Sequence, residues 1–214
     1  ALYDGEIRYA DEQVGRLIQV LEQKGFLKNT LILITADHGE AFYEHKKVDH
    51  TEDLHLAVTK IPLILFGPNI PKARKIYDLV RSIDIAPTLL EYAKAPVLAR
   101  AEGKSFLSWL KSPVQEKRVA HSIRYIRRKK FQQSLYVLPY HLLVYQPGMK
   151  KIELYRIDRD PEEKNNLAST QPELVRELLK LLPSYETVLF GKKLPPGKFD
   201  AETLRRLKSL GYME

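Results

Sequence analysis

The chain has 214 residues, 44% of them apolar, which is enough to bury a substantial core in one large domain or two small ones. Its formal charge of +8 predicts attraction to anions, whether a sulfated or phosphorylated substrate, nucleic acid or an acidic membrane surface. It has no cysteine, which excludes a disulfide, a thiolate metal site and a cysteine nucleophile built from these residues.

No apolar run reaches the roughly 20 residues that a membrane helix needs. The opening Ala1-Leu2-Tyr3-Asp4-Gly5 has neither the basic end nor the apolar centre of a signal peptide, and reads like a mature or excised segment. From Ile7 to Leu21 the apolar Val14, Leu17, Ile18 and Leu21 recur at helical spacing, and Gly25 supplies a stop. Thr30 to Thr35 is short, continuously apolar and rich in β-branched residues, which predicts a strand buried on both faces and, after a helix, a parallel α/β layer. A polar stretch from Asp37 to Asp53 precedes a second such strand at Ile61 to Phe66, closed by Gly67-Pro68-Asn69.

Ser82 to Leu90 reads as a helix with Ser82 as its cap and Pro87 within its first turn or at a kink, and a short helix follows near Ser105 to Leu110. Beyond Ser112-Pro113 the pattern changes to strands at Val119 to Arg124, Ser134 to Leu138, His141 to Tyr145 and Ile152 to Ile157, which suggests an antiparallel sheet. Amphipathic helices are predicted at Pro172 to Leu182 and Asp200 to Leu210, joined through the Pro195-Pro196-Gly197 turn. A subdomain boundary is placed near residue 113, separating 1–113 from 114–214.

Asp37 and His38 fall just past the carboxyl end of the first predicted strand, the usual ligand edge of an open α/β sheet. Carboxylate oxygen and imidazole nitrogen both ligate divalent cations, and Gly39 lets the backbone pass closely. From the residues alone, a turn and helix cap explains the pair equally well. Glu44, His45 and His50 crowd into the same loop, so three of the six histidines lie within thirteen residues. His50 has the chemistry to hold an anionic oxygen or to donate a proton to a leaving group. For His45, loop organisation is the simpler reading, and for His55, ordinary packing on a helix.

The ordered series Tyr3-Asp4-Gly5-Glu6-Ile7, Asn29-Thr30-Leu31, Asp37-His38-Gly39-Glu40, Glu44-His45, His50, Ile61-Pro62-Leu63-Ile64, Asp84 to Leu90 and Glu153 to Ala168 resembles the late signatures of the sulfatases of the alkaline-phosphatase superfamily. The resemblance implies an α/β fold: the late part of a sulfatase-like mixed sheet with flanking helices, then a smaller antiparallel sheet with helices. It implies that Asp37 and His38 are metal ligands and that His50, twelve residues before Pro62, contacts the anionic group of the ester. Glu40 and His45 would support the loop. The implied cofactor is a divalent metal ion (calcium, manganese or zinc), with a formylglycine nucleophile expected only in a preceding segment. The Cys/Ser-x-Pro-Ser-Arg motif that generates this group is absent, as is an early aspartate pair, so the isolated chain is expected to be inactive.

The implied partner is a sulfated small molecule or glycan, the implied location is extracytoplasmic, and no nucleic acid is expected. Membrane anchoring stays open, and a sheet lacking its early strands predicts self-association. Two alternatives stand beside this reading. One is phosphoryl or phosphonate ester hydrolysis, or phosphoryl transfer, within the same superfamily. The other is a non-catalytic polyanion-binding fragment using Arg124, Arg127, Arg128, Lys129 and Lys130, although a solvated connecting loop explains such a run more often. Arg205 to Tyr212 resembles a terminal segment of bacterial sulfatases, and Leu204, Leu207 and Leu210 share one helical face suited to docking on the body of the protein.

Overall fold

A computed structural model describes residues 2–50, 53–96, 101–112, 118–127, 130–146 and 151–184. Helix α1 (Leu2–Gln23) ends where Gly25 takes φ 73°, a left-handed conformation that glycine adopts without steric cost, and its N–H closes on the Glu22 carbonyl. The predicted apolar stripe is present, yet no residue of α1 is buried, and Leu17 and Val20 are exposed. Strand β1 (Ile32–Thr35) pairs with β4 (Leu63–Phe66) in antiparallel register, Ile32 opposite Phe66 and Thr35 opposite Leu63.

This corrects the expected parallel layer and the expected burial on both faces, because both strands are only half-covered. Continuous apolar runs are common in buried parallel strands, but they fix neither direction nor coverage. Between the two strands lie the short hairpin β2 (Ala41–Phe42) and β3 (Val48–Asp49) and the single-turn helix α2 (Leu56–Thr59).

Helix α3 (Ile85–Tyr92) follows a tight turn at Ser82–Asp84, with Pro87 inside its first turn, where a missing N–H costs little. Ser82 is not the cap. Arg81 occupies that position, and the Asp84 carboxylate accepts its N–H at 3.0 Å. Asp84 is fully buried and also accepts Arg81 Nη2 at 2.8 Å, Arg118 Nη1 at 2.8 Å and the Lys104 N–H at 2.9 Å. The Arg118 guanidinium stacks 4.0 Å over the Trp109 ring, in the turn at Leu107–Leu110. One carboxylate thus ties α3, the segment after it and the entry to the next sheet together.

Strands β5 (Ala120–Arg127), β6 (Lys130–Val137), β7 (Tyr140–Gln146) and β8 (Lys151–Arg156) form an antiparallel meander in sequence order. Side chains alternate between its faces. Leu135, Leu142, Val144 and Leu154 pack against Val175 and Leu178 of α4 (Pro172–Leu179), while Leu143 and Tyr155 face Leu54 of the loop before α2. Each fully buried leucine contributes about 1.5–3 kcal/mol by leaving water. The sheet is therefore held between a helix and the segment that carries the loop histidines. The predicted Asp200 to Leu210 helix, the Pro195-Pro196-Gly197 turn, Arg128 and Lys129 lie outside the described residues.

Candidate metal and anion site

Asp37 and His38 lie beyond the end of β1, one residue intervening, and the β2–β3 hairpin folds His50 back over them. The His38 and His50 rings stack with centroids 4.0 Å apart. His38 Nδ1 lies 3.0 Å from the Gly39 carbonyl, which fixes the Nδ1–H tautomer and leaves Nε2 free as a ligand atom. That Nε2 is 3.8 Å from Asp37 Oδ1, a separation that lets both atoms lie about 2.0–2.4 Å from a single ion. Both side chains are open to solvent. Asp37 is held below the usual carboxylate range by the backbone N–H groups of Asp37 and His38 and by the nearby His38 ring, so it is anionic wherever a metal would bind.

His50 Nδ1 sits 3.3 Å from Glu40 Oε2 and 3.5 Å from Asp49 Oδ1. These carboxylates accept from Nδ1 and leave Nε2 facing outward, where it meets an anion only when it too carries a proton. The close approach depends on Gly39, whose N–H donates to the Val58 carbonyl at 2.7 Å. A Cβ there would stand 2.2 Å from the Ala57 carbonyl oxygen.

The hairpin itself is strained: Tyr43, His45, Lys46 and Asp49 all have φ between 51° and 77°. Non-glycine residues in that region cost on the order of 1–2 kcal/mol each and persist only where surroundings hold them. Here the Tyr43 N–H donates to Lys47 O at 2.8 Å, Glu44 accepts the Phe42 N–H, and His45 stacks on His55 at 3.7 Å.

The structure brings Asp37, His38 and His50 together, with Glu40 as support. His45 turns away from them, toward His55. His55 is buried at the start of α2, where its Nδ1–H donates to Asp53.

Sequence reasoning missed the buried group beneath this loop. Glu163 accepts the Leu56 N–H at 2.7 Å and pairs with His141, whose Nε2 meets Ser134 Oγ at 2.8 Å, and Glu153 lies 3.6 Å from His55 Nε2. Burial and the neighbouring His55 hold His45 below the ordinary imidazole value. Burial also lowers His141 and outweighs the pull of Glu163. At Asp53, burial opposes ionisation, but the His55 hydrogen bond and the Leu54 and His55 amides keep it below the ordinary value. The only local sign of this group was the Asp53-x-His55 spacing.

Residues 1–95 match the family model described as Sulfatase. Arylsulfatase K of Gallus gallus is 29% identical over 194 residues, covering 86% of this chain and 36% of the relative. A sulfatase of Formosa agariphila is 31% identical over 163 residues, 76% of this chain and 31% of its own length. The chain thus spans about a third of the length of the curated relatives it matches. Among solved structures, a 2-O GAG sulfatase superposes with a TM-score of 0.74 at 26% identity, covering 84% of this chain and 41% of that one. A protein solved in complex with its substrate D-glucosamine-2-N,6-O-disulfate superposes at 0.69 with 26% identity, covering 88% and 41%.

Proposed function

We propose, for a chain that belongs to the sulfatase family through residues 1–95, that it supplies the later part of a site hydrolysing sulfate esters. Asp37 and His38 are its metal ligands, and His50 is the contact to the ester's anionic group. The observation that carries this reading is the convergence of the three side chains at the end of β1, with the His38 and His50 rings 4.0 Å apart. The donor set fits a divalent cation, and the imidazole nitrogen favours manganese or zinc over calcium. When bound, such an ion polarises sulfate oxygens and the nucleophile.

The chain's own residues do the rest. Asp37 stays ionised, the Gly39 carbonyl orients His38, and Glu40 and Asp49 hold the His50 proton at Nδ1. When protonated on both nitrogens, His50 presents Nε2–H to the ester oxygen, where it offsets charge developing on the leaving alcohol. The 214 residues contain no cysteine and no Cys/Ser-x-Pro-Ser-Arg motif, so they hold no formylglycine precursor and are inactive by themselves.

A sulfated glycan or small molecule is the proposed substrate class, supported by the net charge of +8 and by the glucosamine disulfate bound to a structural neighbour. By family resemblance the place of action is extracytoplasmic. Among the described residues, no helix is long and apolar enough to cross a membrane. We keep the division at residue 113 as the working domain boundary. Exposed Ile7, Leu17, Val20 and Ile64 support self-association of this chain on its own, which size-exclusion chromatography over a concentration series tests. An elution volume that is monomeric and independent of concentration rejects it.

The functional test is hydrolysis of an aryl sulfate, beside an aryl phosphonate, by the gene product expressed from its natural start codon. Asp37→Ala and His50→Ala are expected to lower sulfate-ester kcat by about 10²–10³-fold each. Unchanged turnover in both variants, or a preference for the phosphonate, contradicts the proposal.

A further inference from the structure

Beneath the hairpin, on the side away from Asp37 and His38, His45, His55 and Glu163 each offer a ligand atom, and these atoms lie within 4.8 Å of one another. His55 and Glu163 are 3% and 2% exposed, and His45 is half-buried. Asp53 accepts the Nδ1–H of His55, so the lone pair of His55 points from Nε2; that nitrogen makes no hydrogen bond, and Glu153 Oε2, 3.6 Å away, faces it as a second acceptor. The second oxygen of Asp53 is also buried without a hydrogen-bond partner. An imidazole oriented by a carboxylate, with its other nitrogen bare, is the arrangement that metal-binding histidines adopt. Glu163 is oriented in the same way, by His141 and the Leu56 N–H, and a carboxylate keeps lone pairs beyond those two bonds.

Charge points the same way. Lys151 pairs with Glu153 at 2.6 Å, but the cationic partners of Asp53 and Glu163 among the described residues are histidines only. A divalent cation would supply the permanent positive charge that these two buried carboxylates lack. A cavity of about 230 Å³ lined by Glu44, His45, Lys60, Glu162 and Glu163 opens onto the group and gives an ion a route in.

We propose that His45, His55 and Glu163 bind a zinc-class divalent cation, separate from the Asp37–His38 site, which pins the hairpin carrying His50 to the segment carrying Glu163. Two imidazoles and one carboxylate suit zinc or cobalt rather than calcium, with a fourth position left for water from the cavity. The His45 and His55 rings stack 3.7 Å apart and within 12° of parallel, so an ion in the plane of one ring lies out of the plane of the other. Binding therefore turns the outer ring, His45, toward the edge of His55. The site's role is structural, and it does not rest on the proposed sulfatase chemistry.

The test is titration of chelator-treated protein with Zn²⁺ by calorimetry and with Co²⁺ by visible absorption, alongside melting with and without Zn²⁺. In an Asp37→Ala/His38→Ala background one equivalent is expected to bind, with tetrahedral cobalt bands and a rise in Tm. His45→Ala, at a half-buried loop position and verified as folded by circular dichroism, is expected to abolish both the cobalt bands and the Tm rise. Asp53→Asn is expected to weaken affinity 10–100-fold. The proposal is overturned if the folded Asp37→Ala/His38→Ala protein takes up no zinc, or if His45→Ala binds as the parent does. Loss of binding in the double variant alone would assign the ion to the Asp37 site and leave the proposed function untouched.

Discussion

Replacing Asp84 by alanine removes the carboxylate on which Arg81, Arg118 and the Lys104 N–H converge. Arg118 is 7% exposed, so its guanidinium would be left as a buried charge with only the Lys104 and Ser105 carbonyls and the Trp109 ring around it. Breaking one side of a buried ion pair costs about 3–5 kcal/mol. The orphaned Lys104 amide adds about 1–3 kcal/mol. A chain of this size loses about 2–4 °C in Tm per kcal/mol, so a fall of roughly 8–30 °C is expected on thermal unfolding followed by circular dichroism. Adding Arg118→Met to Asp84→Ala should restore part of the loss, since it removes the stranded charge. A single-variant loss below about 1 kcal/mol, or no recovery in the double variant, refutes the claim that this pair ties the two parts of the chain together.

The same residue sets an acid limb. Burial pushes the Asp84 carboxyl up, but the Arg81 hydrogen bonds, the Lys104 amide and Arg118 outweigh it and hold it below its ordinary value. A depressed folded pKa stabilises the protein above the unfolded value of about 3.9, and that stability is lost as pH falls below it. Denaturant midpoints measured from pH 6 to pH 2 should therefore drop less steeply in Asp84→Asn than in the parent, and parallel curves would count against the assignment. Gly39→Ala forces a Cβ to 2.2 Å from the Ala57 carbonyl oxygen and parts the Gly39–Val58 hydrogen bond. We expect a loss of about 1–3 kcal/mol together with weaker metal retention at Asp37 and His38. Melting curves and manganese titration of the variant check both.

The antiparallel sheet was legible because β5 to β8 are short runs of strand-forming residues set apart by turns. The Asp37, His38 and His50 grouping was legible because all three sit in one loop at a strand end. The pairing of β1 with β4 was not, since an apolar run gives no direction. Nor was the buried group: Glu163 reaches the Leu56 amide across 107 residues of sequence, and only the folding of β7 and β8 beneath the loop brings His141 to Glu163 and Glu153 to His55. Polar residues that meet over such distances leave no local pattern. Ser82 illustrates the smaller failure, in which a good capping residue yields to Arg81 because Asp84 supplies the capping carboxylate itself.

The most direct measurement is an anomalous difference map from crystals of the gene product, expressed from its natural start codon and soaked in manganese. We predict a peak about 2.0–2.4 Å from both an Asp37 carboxylate oxygen and His38 Nε2, with the His50 ring facing it. A metal bound elsewhere, with Asp37 and His38 both unligated, would contradict the account.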